Sequence, residues 1–86
     1  MERLTLIHIK ETFNNDKSIT LYVDGRLDDD SIPALDDICQ RHLLDGRKII
    51  IDIAGLYHIS REGRGFLDSI KNRITLEKIP SFMKLG

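Results

Sequence analysis

Tryptophan is absent, cysteine occurs once, proline twice, and aromatic side chains make up only 6% of the chain. A lone Cys39 excludes an internal disulfide and a multi-cysteine zinc site, and suits a reducing compartment. Excess charge of one sign is also missing. With 13 basic and 14 acidic side chains the formal net charge is −1, so no long-range field draws the chain to nucleic acid or to an anionic membrane. No apolar run approaches the length of a membrane span, and Met1-Glu2-Arg3-Leu4-Thr5 lacks the apolar stretch of a secretory signal. These absences set the expectations of a cytoplasmic location, no direct membrane insertion and no nucleic-acid partner.

What is present is an ordinary globular composition, 41% hydrophobic and 31% charged, too apolar for a disordered chain. At 86 residues there is room for one domain with little spare core, and no repeat, linker or low-complexity tract divides it. Residues 1–86 are therefore read as a single domain.

The pattern alternates strand and helix. Leu4 to Lys10 is rich in Leu and Ile, and Asn14-Asn15-Asp16 supplies turn residues, so two antiparallel strands are expected to meet there. Ile19, Leu21 and Val23 alternate with Thr20 and Tyr22 in a second strand, which Asp24-Gly25-Arg26 is expected to end. Apolar residues at Ile32, Leu35, Ile38, Cys39 and Leu43 mark one helical face, with Pro33 in the first turn and Gly46 as the stop. The run Lys48-Ile49-Ile50-Ile51-Asp52-Ile53 has no polar alternation, which suits an interior parallel strand covered on both faces. With the preceding helix it completes a βαβ unit, expected to be right-handed. After Leu56 a short loop is expected to lead into a second helix that begins near Arg61 to Gly63 and buries Phe66, Leu67, Ile70 and Ile74. Periodicity leaves residues 73–79 open between a longer helix and a short final strand.

Several of these features converge on one family. The order Gly25-Arg26-Leu27-Asp28, helix, Ile51-Asp52-Ile53-Ala54-Gly55-Leu56, Ile59 and Gly63-Arg64-Gly65 resembles the STAS domain, named for sulfate transporters and anti-sigma factor antagonists. The resemblance covers roughly Ile19 to Ile70. It implies a small α/β domain with a mixed four-stranded sheet and helices packed on one face. Family members generally continue with a further strand and a closing helix. Ile79-Pro80-Ser81-Phe82-Met83-Lys84-Leu85-Gly86 offers only a short segment, so a short or absent C-terminal strand or helix is expected, with apolar surface left for a partner or for dimerisation.

The resemblance also implies a mechanism. A STAS domain docks through the loop and the start of its second helix onto an anti-sigma factor or a related serine kinase-like regulatory protein, and phosphorylation of a serine or threonine there weakens the dock. In this sequence the family's aspartate falls on Ser60, the first small residue on Arg61, the phosphoacceptor on Glu62 and the aliphatic residue between the glycines on Arg64. The usual acceptor is thus replaced by a permanent negative charge near the positive end of the helix dipole. Glu62 imitates a modified state on one reading and is an ordinary first-turn acidic residue on the other. The expected partner-binding set is Arg26, Arg61, Glu62, Gly63 and Arg64, with Glu62 and Ser60 as the regulatory positions. An accessory role in a transporter or signalling assembly is the alternative.

The remaining residues point elsewhere only weakly. Ser60 beside a helix start reads first as an N-cap. Asp28, Asp29 and Asp30 lack the spacing of a calcium loop, so helix capping by Asp30 or Ser31 is expected rather than metal. Asp52, His58 and Ser60 have the residue types of a nucleophilic triad without an elbow or oxyanion signature, and no catalytic residue is assigned. His8, His42 and His58 lack metal-ligand spacing, and Gly63 and Gly65 do not complete a nucleotide fingerprint, so no cofactor is expected.

Overall fold

The computed structural model describes residues 7–79. In chain order the elements are β1 (Ile7–Asn15), β2 (Ser18–Leu27), α1 (Ile32–Leu44), β3 (Lys48–Ile59), α2 (Arg61–Ile70) and β4 (Thr75–Glu77). They build one four-stranded sheet in the order β1-β2-β3-β4. The first pair is antiparallel, and β2, β3 and β4 run parallel, giving the mixed sheet expected. The residues before Ile7 and after Ile79, including the C-terminal segment from Pro80, lie outside the described residues.

Register explains why a single core forms. Ile19 and Leu21 stand beside Ile49 and Ile51, Ile9 beside Val23, and Leu76 beside Ile51. Side chains of alternate residues share a face, so these line one side of the sheet. Leu35 and Cys39 of α1 and Leu67 and Ile70 of α2 join the same cluster, which places both helices on that side. Ile19, Leu21, Val23, Ile49, Ile51 and Ile53 are fully buried, each stabilising by about 1.5–3 kcal/mol relative to exposure.

Three expectations need correction. The isoleucine run of β3 is not covered on both faces by helices: Ile49, Ile51 and Ile53 are buried, whereas Ile50 on the other side is only partly so. That side of Ile50 is sheltered laterally by Thr20 and Thr75, its register partners on the neighbouring strands. Gly25 does not end β2. It takes φ +100° within an irregularity of the β2–β3 ladder, and pairing resumes through Leu27 opposite Ile59. The loop expected after Leu56 is absent for the same reason, since pairing to Arg26 and Leu27 keeps His58 and Ile59 in β3. Strand and helix meet at Ser60 alone.

The ends of α1 show how local chemistry is redistributed. Ser31 is the N-cap residue, but its side chain makes no capping bond. Pro33 in the first turn removes one amide that a cap would satisfy. Ser31 Oγ instead accepts from the Asp28 amide at 2.9 Å and lies 2.9 Å from the Arg26 carbonyl, to which it donates. At the other end the Gly46 amide donates to Leu43 and the Arg47 amide to His42, with Gly46 at φ +76°. This double closure is the Schellman arrangement, and glycine accommodates its left-handed residue.

Candidate functional site

The parallel strands β2 and β3 end together, and their carboxyl ends are where open α/β sheets place working surfaces. There the Ser60 amide donates to the Leu27 carbonyl at 2.9 Å, stitching the end of β2 to the start of α2. Ser60 is extended, and its Oγ accepts from the Gly63 amide at 3.0 Å. The hydroxyl oxygen thus satisfies one of the amides that a helix start leaves without an intrahelical partner.

Gly63 is buried because α2 begins directly against β2. A Cβ there would strike the carbonyl oxygen of Leu27, so the close approach demands glycine. Gly65 differs: nothing lies within 4 Å of the position its Cβ would occupy. Glu62 sits in the first turn, exposed and flanked by the exposed Arg61 and one residue beyond Gly63 by Arg64. Among the described residues none of Arg61, Glu62 and Arg64 makes an ion pair. These three side chains therefore present charge to solvent around a backbone that is held tightly.

Of the expected partner-binding set, Arg61, Glu62, Gly63 and Arg64 lie in the first turns of α2 and Arg26 lies near the end of β2. Arg61 and Arg64 border a groove of about 470 Å³ beside α2, to which Leu67, Asp68, Lys71 and Leu76 also contribute. Arg26 does not line it. Its Nε lies 3.8 Å from Asp28 Oδ2, and its register partner on β3 is His58. Asp68 and Lys71 belong to no sequence motif, although Arg61, Arg64, Asp68 and Lys71 follow the three-and-four spacing that gathers side chains on one helix face.

The other clusters are accounted for locally. Carboxylate oxygens of Asp28, Asp29 and Asp30 come within 4.8 Å of one another. Asp28 Oδ1 already accepts from the amides of Asp30 and Ser31, both at 3.1 Å, so it organises the turn into α1. Asp52 and His58 are six positions apart along one strand, a separation of about 20 Å at the usual rise. Asp52 Oδ1 accepts from the Ala54 amide at 3.0 Å, and its Oδ2 is 3.5 Å from Lys78 Nζ. The triad types are not brought together. His42, expected to be packed or half-exposed, is 5% exposed, with Nε2 2.7 Å from Glu11 Oε1. Arg47 Nη1 lies 3.2 Å from its Nδ1, and a guanidinium can only donate, so Nδ1 accepts and Nε2–H donates to Glu11. Burial, with the Asp36 carboxylate adding to it, pushes the Cys39 thiol from 9.0 up to about 11, so it stays protonated and inert at neutral pH. Among the described residues no helix is long and apolar enough to cross a membrane.

No protein-family model matches the sequence, and no curated protein sequence matches it. Solved structures do. An anti-sigma factor antagonist from Mycobacterium paratuberculosis superposes with a TM-score of 0.67 at 17% identity, over 81% of this chain and 63% of that one. The chain thus matches less than two thirds of that relative's length. An antisigma-factor antagonist, STAS domain, from Rhodobacter sphaeroides superposes with a TM-score of 0.66 at 13% identity, over 85% of this chain and 87% of that one. The order of elements, the mixed sheet and the helices on one of its faces together make this chain a small α/β domain with the STAS fold.

Proposed function

We propose that this chain is a protein–protein interaction module that works in the manner of an anti-sigma factor antagonist, docking onto a regulatory protein in the cytoplasm through the start of α2. The observation that carries the reading is the junction at Ser60. The carboxyl ends of two parallel strands and the first turn of α2 are fastened by the Ser60–Leu27 and Gly63–Ser60 bonds, and Arg61, Glu62 and Arg64 stand exposed upon them. The similarity to two antagonist structures supports the same assignment. A rigid backbone under charged side chains suits recognition, because little ordering is required when a partner binds.

Control by phosphorylation is altered in this proposal. Glu62 occupies the acceptor position, and Ser60 Oγ already accepts from the Gly63 amide, so a phosphate there would disturb the cap. The partner is an anti-sigma factor or a related serine kinase-like protein, adapted to a fixed charge where its usual target presents a hydroxyl. The test is phosphorylation by the cognate kinase with ATP. The native chain is expected to take up no phosphate at Ser60 or elsewhere around the junction, and Glu62→Ser is expected to restore it. Uptake by the native chain would refute the loss of control. Failure of Glu62→Ser alone would assign the block to Arg61 or Arg64 as well, which the triple replacement would confirm.

A further inference from the structure

The groove beside α2 has a chemistry of its own. The half-buried Leu76 and the edge of Leu67, only 2% exposed, supply its apolar part, and Arg61, Arg64 and Lys71 its cations, against a single carboxylate, Asp68. Lys71 Nζ is 2.9 Å from Asp68 Oδ1, so that pair is internally neutralised. Arg61 and Arg64 remain without an ion-pair partner among the described residues, one turn apart on the same helix. A surface of this kind, apolar along its length and net positive at its border, complements a chain segment with the opposite pattern.

We propose that the groove between α2 and β4 docks an acidic, leucine-bearing segment of a partner protein, its apolar side chain resting on Leu67 and Leu76 and its carboxylates paired with Arg61 and Arg64. This rests on the docking role above and names the chemistry of what docks. The arginines are suited to it, because each guanidinium can hold a carboxylate through two parallel N–H bonds. Residues 80–86 of the chain itself, Pro-Ser-Phe-Met-Lys-Leu-Gly, include one lysine and no acidic side chain, so they do not complement these cations. A second copy offers Asp28, Asp29 and Asp30, which makes self-association the rival outcome.

The test uses a fluorescein-labelled peptide with a central Leu-Leu pair flanked on each side by three glutamates, with two control peptides. One replaces the glutamates by lysines and the other the leucines by serines. Binding is read by fluorescence anisotropy and mapped by amide chemical shifts on the full chain. The acidic leucine peptide is expected to bind, more weakly as salt is raised, with shifts at Arg64, Leu67, Lys71 and Leu76, and the lysine peptide is expected not to bind. Arg61→Glu combined with Arg64→Glu is expected to weaken binding on the order of tenfold, as reversal of exposed charge pairs implies. Lys10→Glu combined with Lys17→Glu, the same total charge change at exposed positions of β1 and the turn after it, is expected to leave it within about twofold. Equal binding of the lysine peptide, shifts confined to Arg26 and the Asp28–Ser31 turn, or a concentration-dependent dimer whose contacts fill the groove would each overturn the proposal. The docking role is judged separately. A regulatory partner that still binds the native chain and loses affinity on Glu62→Lys, while the peptide does not bind, would refute the groove assignment and leave the docking role standing.

Discussion

At the residue scale the junction turns on two glycines that look alike in sequence and differ in space. Gly63 faces the Leu27 carbonyl, and Gly65 faces open space. Gly63→Ala is therefore expected to destabilise by about 1–3 kcal/mol, because the backbone it would strike cannot give way as a flexible side chain could. Gly65→Ala is expected to stabilise by about 0.5–1 kcal/mol, since the helix interior prefers alanine. Urea unfolding of the two variants decides it, and equal effects would show that α2 does not start against β2. The Glu11–His42 contact is a second residue-scale feature. Glu11→Gln keeps an acceptor for the imidazole and is expected to cost little, whereas Glu11→Leu leaves a nearly buried N–H unpaired and is expected to cost about 1–3 kcal/mol. Phe13, edge-on to His42 with ring centroids 5.8 Å apart, closes the same cluster from β1.

At the element scale the fold is legible where periodicity and end signals agree. The apolar positions Leu35 and Cys39 and the stop at Gly46 mark α1 in sequence and are realised with a Schellman closure. Ser60 marks the start of α2 and performs the N-cap. The failures fall where pairing overrides local preference. Asp24-Gly25-Arg26 has the composition of a turn, but the ladder to β3 carries it as extended strand through an irregularity. Residues 73–79 hold too few apolar positions to favour helix or strand, and it is the open edge of β3 at Ile50–Asp52 that recruits Thr75–Glu77. Ile50 shows the same limit, since an unbroken isoleucine run does not reveal that only one of its faces is covered by helices.

At the scale of the whole molecule, a single core on one side of a sheet ties the elements into one unfolding unit. Cys39 lies within that core, 1% exposed, which gives stability a dependence on alkaline pH. Its thiol ionises near 9.0 when unfolded and at about 11 when folded. The folded chain therefore retains a proton that the unfolded chain releases, and the associated stability, complete below pH 9, is lost as pH rises through 11. Two pKa units correspond to about 3 kcal/mol. Urea midpoints measured across that range are expected to fall more steeply for the native chain than for Cys39→Ala, which shares every other titrating group. Parallel slopes would show that the thiol is solvated in the folded state. Slow alkylation of the native thiol at neutral pH is expected on the same ground.

The class of the fold, the βαβ unit and the position of the second helix are legible in the chain's residues, because side-chain periodicity and capping chemistry act over a few neighbouring residues. The order of residues alone also put the acidic Glu62 in the first turn of that helix. The need for glycine at Gly63 comes from the assembled fold, since the obstructing carbonyl belongs to Leu27 at the end of β2. Tertiary packing alone brought His42 to Glu11, 31 positions away, left Arg26 outside the groove that Arg61 and Arg64 border, and set Leu76 beside Leu67 in that groove. Those outcomes depend on sheet register and helix docking, which sum many weak preferences over the whole chain and leave no local signature.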